Sequence, residues 1–157
     1  MKNLMKNLLL ATCAVSLTGL APAAAGTSMR QKAQLAQNEC SACHTAFPAQ
    51  FLPARSWKTI MKTLDNHFGE DASLDDATRK QIEDYLVANA ADAPGSRTKW
   101  MLRGIGANDY ILRITEMPWW VRAHRYEVSQ SAWRRAGSKS NCAACHRNIG
   151  SGNFDDD

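Results

Sequence analysis

Two copies of one pentapeptide constrain this chain more than any other feature. Cys40-Ser41-Ala42-Cys43-His44 recurs as Cys142-Ala143-Ala144-Cys145-His146, 102 positions later in a sequence of 157 residues. Each copy reads C-x-x-C-H. Two thiols three positions apart share one face of a helical turn, where each can form a thioether to one vinyl group of the same porphyrin. The adjacent histidine then meets the iron from one side. The repeat predicts two covalently bound haem c groups, attached through Cys40, Cys43, Cys142 and Cys145, with His44 and His146 as proximal ligands. The chain has to fold around two large apolar plates.

The cysteine count agrees. Of five cysteines, Cys13 lies in an N-terminal leader, and the remaining four are the number that two haems use. No thiol is left for a structural disulfide. Two other readings of C-x-x-C compete. A thiol oxidoreductase leaves the histidine after each pair unexplained. A zinc site has to gather four ligands from distant copies. The leader itself spans residues 1–25. Lys2 and Lys6 form a basic start, Leu8 to Leu20 is apolar but too short to cross a bilayer, and Ala23-Ala24-Ala25 is a small-residue cleavage site. It reads as a secretory signal peptide, with an uncleaved anchor as the alternative, and points to the periplasm.

Removing residues 1–25 from 157 leaves 132, within the range of one or two small domains but marginal for two independent cores. Two haems ease that shortage by giving side chains something to pack on. Without Lys2 and Lys6 the net charge falls from +4 to +2, which argues against a nucleic-acid partner. No other segment is apolar enough to form a transmembrane helix. Asn89 to Ser96, with Pro94-Gly95 at its centre, reads as a boundary between two haem domains, 26–95 and 96–157. One motif stands early in the first part and the other late in the second, so the halves are not a simple tandem copy.

The expected fold is mostly α, with little or no β: two small cytochrome c-like domains packed around two haems. Ser28 is placed to cap a helix over 29–38 that delivers Cys40 and Cys43. Ser56 is read as the cap of a second helix, 57–67, ended by Gly69. A third spans 74–90, with Asp75 and Asp76 at its positive end and Ile82, Tyr85, Leu86 and Ala90 on one face. In the second part, 110–115 has β-rich composition and reads as a short extended segment. Short helices are expected over 117–124 and 129–136, with Gly137 as a stop and Ser140 or Asn141 capping the motif turn.

Two histidines remain, one per half. His67 ends the stripe Trp57, Ile60, Met61, Leu64, and His124 ends the stripe Met117, Trp120, Val121. Most histidines ligate nothing, but here two irons need distal ligands and each half has one spare imidazole. Met61 and Met117 lie on the same stripes and are the rival ligands. Histidine–methionine ligation raises a haem potential relative to two histidines. The five tryptophans read as haem packing or as indole N–H donors to propionates, with core filling as the overlapping alternative.

Charge divides unevenly. Residues 26–95 hold seven Lys/Arg against nine Asp/Glu, and residues 96–157 hold ten against six. The excess in the second part reads either as a solvated face whose arginines pair with propionates or as a docking surface for an acidic redox partner. A cation-rich setting favours the more negative reduced haem. It predicts the higher potential for the haem on Cys142 and Cys145.

These features together resemble the small bacterial dihaem cytochrome c (DHC) family. The resemblance rests on Asn38 to His44, the Phe47-Pro48 and Leu52-Pro53 turns, Trp57 through Gly69, Arg113-Ile114-Thr115, Pro118 to His124 and the late motif, Cys142 to His146. It implies a helical two-domain electron carrier, not an enzyme, with His44 paired to His67 and His146 paired to His124. It also implies a small high-spin, oxygen-binding cytochrome c as electron acceptor and a membrane cytochrome as reductant. The competing function is a dihaem enzyme of the peroxidase type, or a ligand sensor, with one open iron.

Overall fold

A computed structural model describes residues 27–147 and 149; the leader, and with it the signal-peptide reading, lies outside the described residues, as does the acidic tail. The fold is mostly helical. Among the described residues the only β feature is an isolated bridge between His67 and Glu70.

Helix α1, Met29–Cys40, begins at a reciprocal cap. The Ser28 hydroxyl accepts from the Gln31 N–H at 3.3 Å, and the Gln31 side-chain oxygen accepts from the Ser28 N–H at 2.8 Å. The helix runs two residues further than the sequence predicts, so Cys40 is its last residue. Helix α3, Asp76–Ala88, starts where Asp75 accepts from the Thr78 N–H at 3.0 Å. It buries Ile82 and Leu86. Between α1 and α3, Lys32 donates to Asp84 at 2.9 Å. Lys32 and Lys80 both hold the Asp84 carboxyl below its usual range. Asp84 is substantially exposed, so this pairing contributes at most about 1 kcal/mol. Apolar burial does most of the work of joining the helices.

Helix α2 departs from expectation. It covers Ala54–Lys62, and Pro53 occupies the cap position. Proline's fixed φ and missing N–H suit the entrance to a helix, so the start moves three residues upstream. Ser56 becomes a fully buried interior residue rather than a cap. At Thr63 the backbone leaves the helical region, with φ −122° and ψ 34°. A 3-10 turn over Leu64–Asn66 follows, so His67 stands beyond the helix. The apolar stripe still holds: Trp57, Ile60, Met61 and Leu64 are all buried. The Trp57 indole N–H donates to the Ala49 carbonyl at 2.6 Å.

The expected extended segment at 110–115 forms no strand. No neighbouring strand offers it a ladder, and Ile114–Glu116 closes into a 3-10 turn. Helix α4, Pro118–His124, carries proline at its first position, and α5, Gln130–Ala136, is capped by Ser129 and ended by Gly137 at φ 72°. Met117 and Trp120 are buried as the stripe predicts, whereas Val121 is exposed. Neither Ser140 nor Asn141 caps the second motif through its side chain. Asn141 instead donates to the Ala136 carbonyl at 3.0 Å, tying the motif to the end of α5.

One buried cluster crosses the Pro94-Gly95 turn. Leu52, Trp57, Ile82 and Leu86 share it with Met101, Ile114, Met117 and Trp120. Polar contacts cross as well. Arg55 donates to the carbonyls of Asp109 at 2.7 Å and Gly106 at 2.9 Å. Trp119 packs on Phe51 at 4.9 Å between ring centroids.

Candidate haem sites

In the first motif, Cys40 ends α1 and the following turn presents Cys43 and His44. In the second, a 3-10 turn over Cys142–Ala144 is closed by N–H donors of Cys145 and His146 to the Cys142 carbonyl, at 3.2 and 2.9 Å. Each motif has one half-buried cysteine, Cys40 or Cys142, and one exposed cysteine, Cys43 or Cys145. Burial pushes the Cys40 thiol up, with the Glu39 carboxylate adding to it, and burial likewise pushes up Cys142.

Each motif histidine faces the spare histidine of its own half. The centroids of His44 and His67 lie 6.1 Å apart, and those of His124 and His146 lie 6.2 Å apart. That spacing is informative. With a metal–imidazole bond of about 2.0–2.1 Å and a ring nitrogen about 1.1 Å from its centroid, two imidazoles on opposite sides of one ion have centroids about 6.3 Å apart. Both centroid separations are close to that value. The ring planes differ, inclined by 25° in the first pair and 81° in the second.

Tautomers are set by backbone carbonyls. His44 Nδ1–H donates to Thr45 O at 2.7 Å, and His124 Nδ1–H donates to Trp120 O at 2.8 Å. A carbonyl only accepts, so Nδ1 carries the proton and Nε2 keeps its lone pair for a metal. This is the outer-shell arrangement that orients ligating histidines. Aromatic neighbours fix the planes further. Phe47 stacks on His44 at 5.1 Å, and Trp120 stacks on His124 at 4.1 Å with Trp133 beside both. Trp120 lies one helical turn before His124, so it supplies both the carbonyl and the stacked ring. From the sequence it reads as haem packing or as an indole donor to a propionate, and neither of these two roles is foreseen.

His67 is held differently. Its N–H donates to Glu70 O at 2.7 Å, forming the isolated bridge. Burial lowers its pKa, and the charges of His44 and Arg113 act in the same direction, so the neutral, ligating form is favoured. Phe68 follows at φ 58°, a left-handed conformation that costs a non-glycine residue about 1–2 kcal/mol. A cavity of about 250 Å³ lies against His67, with Ile60, Thr63, Phe68, Leu112 and Arg113 in its wall. The rival methionines, Met61 and Met117, are buried within the core cluster. Among the described residues no group of three or more His, Cys, Asp or Glu side chains is gathered to hold an ion, as a zinc centre requires.

A family model described as dihaem cytochrome c matches residues 36–154. A diheme cytochrome c from Rhodobacter sphaeroides is 57% identical, with 76% of this chain and 94% of that chain covered and a TM-score of 0.71. A structure of DHC purified from Rhodobacter sphaeroides is 53% identical over the same shares, with a TM-score of 0.66. A diheme cytochrome type c from Shewanella baltica is 34% identical, with 79% and 88% covered and a TM-score of 0.62. No curated protein matches the sequence.

Proposed function

This chain belongs to the dihaem cytochrome c family, electron carriers with two covalent haem c groups, and on that premise we propose that it is a periplasmic carrier whose haems are each held between two histidines. His44 and His67 would hold the first iron, and His146 and His124 the second, with Cys40, Cys43, Cys142 and Cys145 as the thioether sites. When bound, each haem supplies a one-electron iron couple. The observation that carries the reading is the pair of histidine couples at 6.1 and 6.2 Å.

The residues do the rest. The carbonyls of Thr45 and Trp120 hold the protons on Nδ1 of His44 and His124, so Nε2 of each ring would be available to the iron without a proton change. Ligands that stay in place between oxidation states keep reorganisation small, which suits a carrier. With two imidazoles holding each iron, no position would be left for oxygen, peroxide or a substrate. The purified holoprotein is expected to be low-spin in both oxidation states, and the reduced form to bind no carbon monoxide. Near-infrared magnetic dichroism and a carbon monoxide titration check this; stoichiometric binding would favour the open-iron enzyme or sensor.

The second site supports the partner reading. Arg122, Arg125, Arg134, Arg135, Lys139 and Arg147 are all exposed, and between positions 118 and 147 Glu127 is the only acidic residue. None of the six is in an ion pair among the described residues. Two propionates per haem would neutralise only part of this charge. The remainder forms a positive face beside His124, suited to an acidic redox partner such as a high-spin cytochrome c. It also favours the higher potential for the haem on Cys142 and Cys145. Reoxidation of the reduced protein by anionic ferricyanide is expected to slow as salt rises. The double substitution Arg122→Glu with Arg125→Glu should reduce the rate several-fold and flatten that salt dependence in stopped-flow traces. An unchanged salt slope would remove this face from the docking surface.

A further inference from the structure

Arg113 belongs to the second half of the chain, but its side chain packs on Phe68 in the first half. Its guanidinium carbon lies 4.1 Å from the centroid of the Phe68 ring. Phe68 in turn packs against His67, with ring centroids 4.8 Å apart and planes tilted by 59°. The three side chains form a continuous row of contacts: cation, aromatic ring and tilted imidazole. Phe68 reaches this position only by adopting the left-handed φ of 58°. A bulky residue holds such a conformation when its surroundings impose it, and such outliers concentrate at ligand clamps.

The charge of Arg113 is not used up locally. Its acidic partner is Glu116, three residues on, at 3.8 Å, with both side chains more than half exposed. An ion pair of that kind is weak. Together with Leu112, Arg113 also forms the part of the cavity wall against His67 that comes from the second half. The first half is the acidic one, so a cation from the other half matters more here than it would beside the second motif.

We propose that Arg113 is a positioning residue of the first haem site: braced on Phe68, it fixes the ring plane of His67 and supplies the positive charge that raises this haem's potential. The proposal rests on the reading of His67 as distal ligand. A cation near the iron favours the reduced state, which carries one more negative charge. The planar guanidinium stacks on an aromatic face in a way that a lysine ammonium does not, so charge and orientation can be separated by substitution.

The test uses full-length holoprotein as wild type, Arg113→Met and Arg113→Lys. Potentials are measured by haem-resolved redox titration, and ring orientation by the low-spin ferric paramagnetic resonance signal. The first haem is identified as the one whose potential moves in His67→Met. Arg113→Met is expected to lower the reduction equilibrium constant of that haem at least about threefold, about 28 mV for one electron at about 59 mV per tenfold change. The second haem should stay unchanged. Arg113→Lys should restore the potential but not the wild-type resonance. If Arg113→Met does not accumulate, Phe68→Asn tolerates the left-handed backbone and removes the brace while leaving the charge, so it should change the resonance signal and leave the first potential close to wild type. An unchanged first potential in Arg113→Met, an equal shift at both haems, or an unchanged resonance in Phe68→Asn overturns the proposal. A wild-type first haem without bis-imidazole spectra instead overturns the ligand reading beneath it.

Discussion

Replacing His124 by alanine is expected to convert the second haem from a closed, low-spin centre into a high-spin one that binds one equivalent of carbon monoxide per chain, while the first haem stays closed. The expectation follows from how His124 is placed. It is the last residue of α4, its Nδ1 proton is fixed on the Trp120 carbonyl, and its ring lies flat against Trp120. The rival on the same stripe is not comparably poised. Met117 is fully buried in the core at the cap position of α4, about two helical turns before His124. Losing the ligand opens a coordination position rather than recruiting a substitute. Carbon monoxide binding measures this directly, rising from none to one equivalent. A variant that remains low-spin and closed would mean that His124 is not a ligand.

The second large effect is at His67. Exchanging it for methionine is expected to raise the potential of the first haem by on the order of 100 mV, within the span of about 0.8 V that axial ligands command. The sign comes from chemistry: a thioether stabilises the reduced iron better than an imidazole does. The geometry favours accommodation, because His67 stands on an irregular segment beyond α2 rather than inside a helix, and a cavity adjoins it. Redox titration gives the shift. A near-infrared signature that still reports two imidazoles, with no change in potential, would assign the ligand elsewhere.

The haem chemistry was legible because it is written locally. Five consecutive residues encode thioether spacing and a proximal ligand, and the apolar stripes that end at His67 and His124 are periodic over single turns. Capping was legible at Ser28 for the same reason, since its hydroxyl bonds an N–H three residues away; Asp75 was read only as charge at a helix's positive end and Ser129 only as a helical residue, and both prove to be caps. Ser56 misled because a hydroxyl before an apolar run reads as a cap, while Pro53 had already set the helix entrance. The β-rich run at 110–115 misled because strand composition means little without a second strand. The brace of Arg113 on Phe68 was out of reach. It joins positions 45 residues apart and depends on a left-handed phenylalanine that no composition signals.

The order of ligands along the chain has a consequence for the unfolded state. On the proposed ligand set, the first iron ties His44 to His67 and the second ties His124 to His146, so each metal closes a loop of 23 or 22 residues. With the porphyrin already bonded to the motif cysteines, each axial bond acts as a reversible crosslink. In the chain-entropy account, a loop of this size restricts the denatured ensemble by about 3 kcal/mol. The two loops do not overlap, so their contributions are separate. A ligand exchange at one iron thus alters two things at once: the electronics of that centre, and the freedom of the segment it ties down whenever the chain opens.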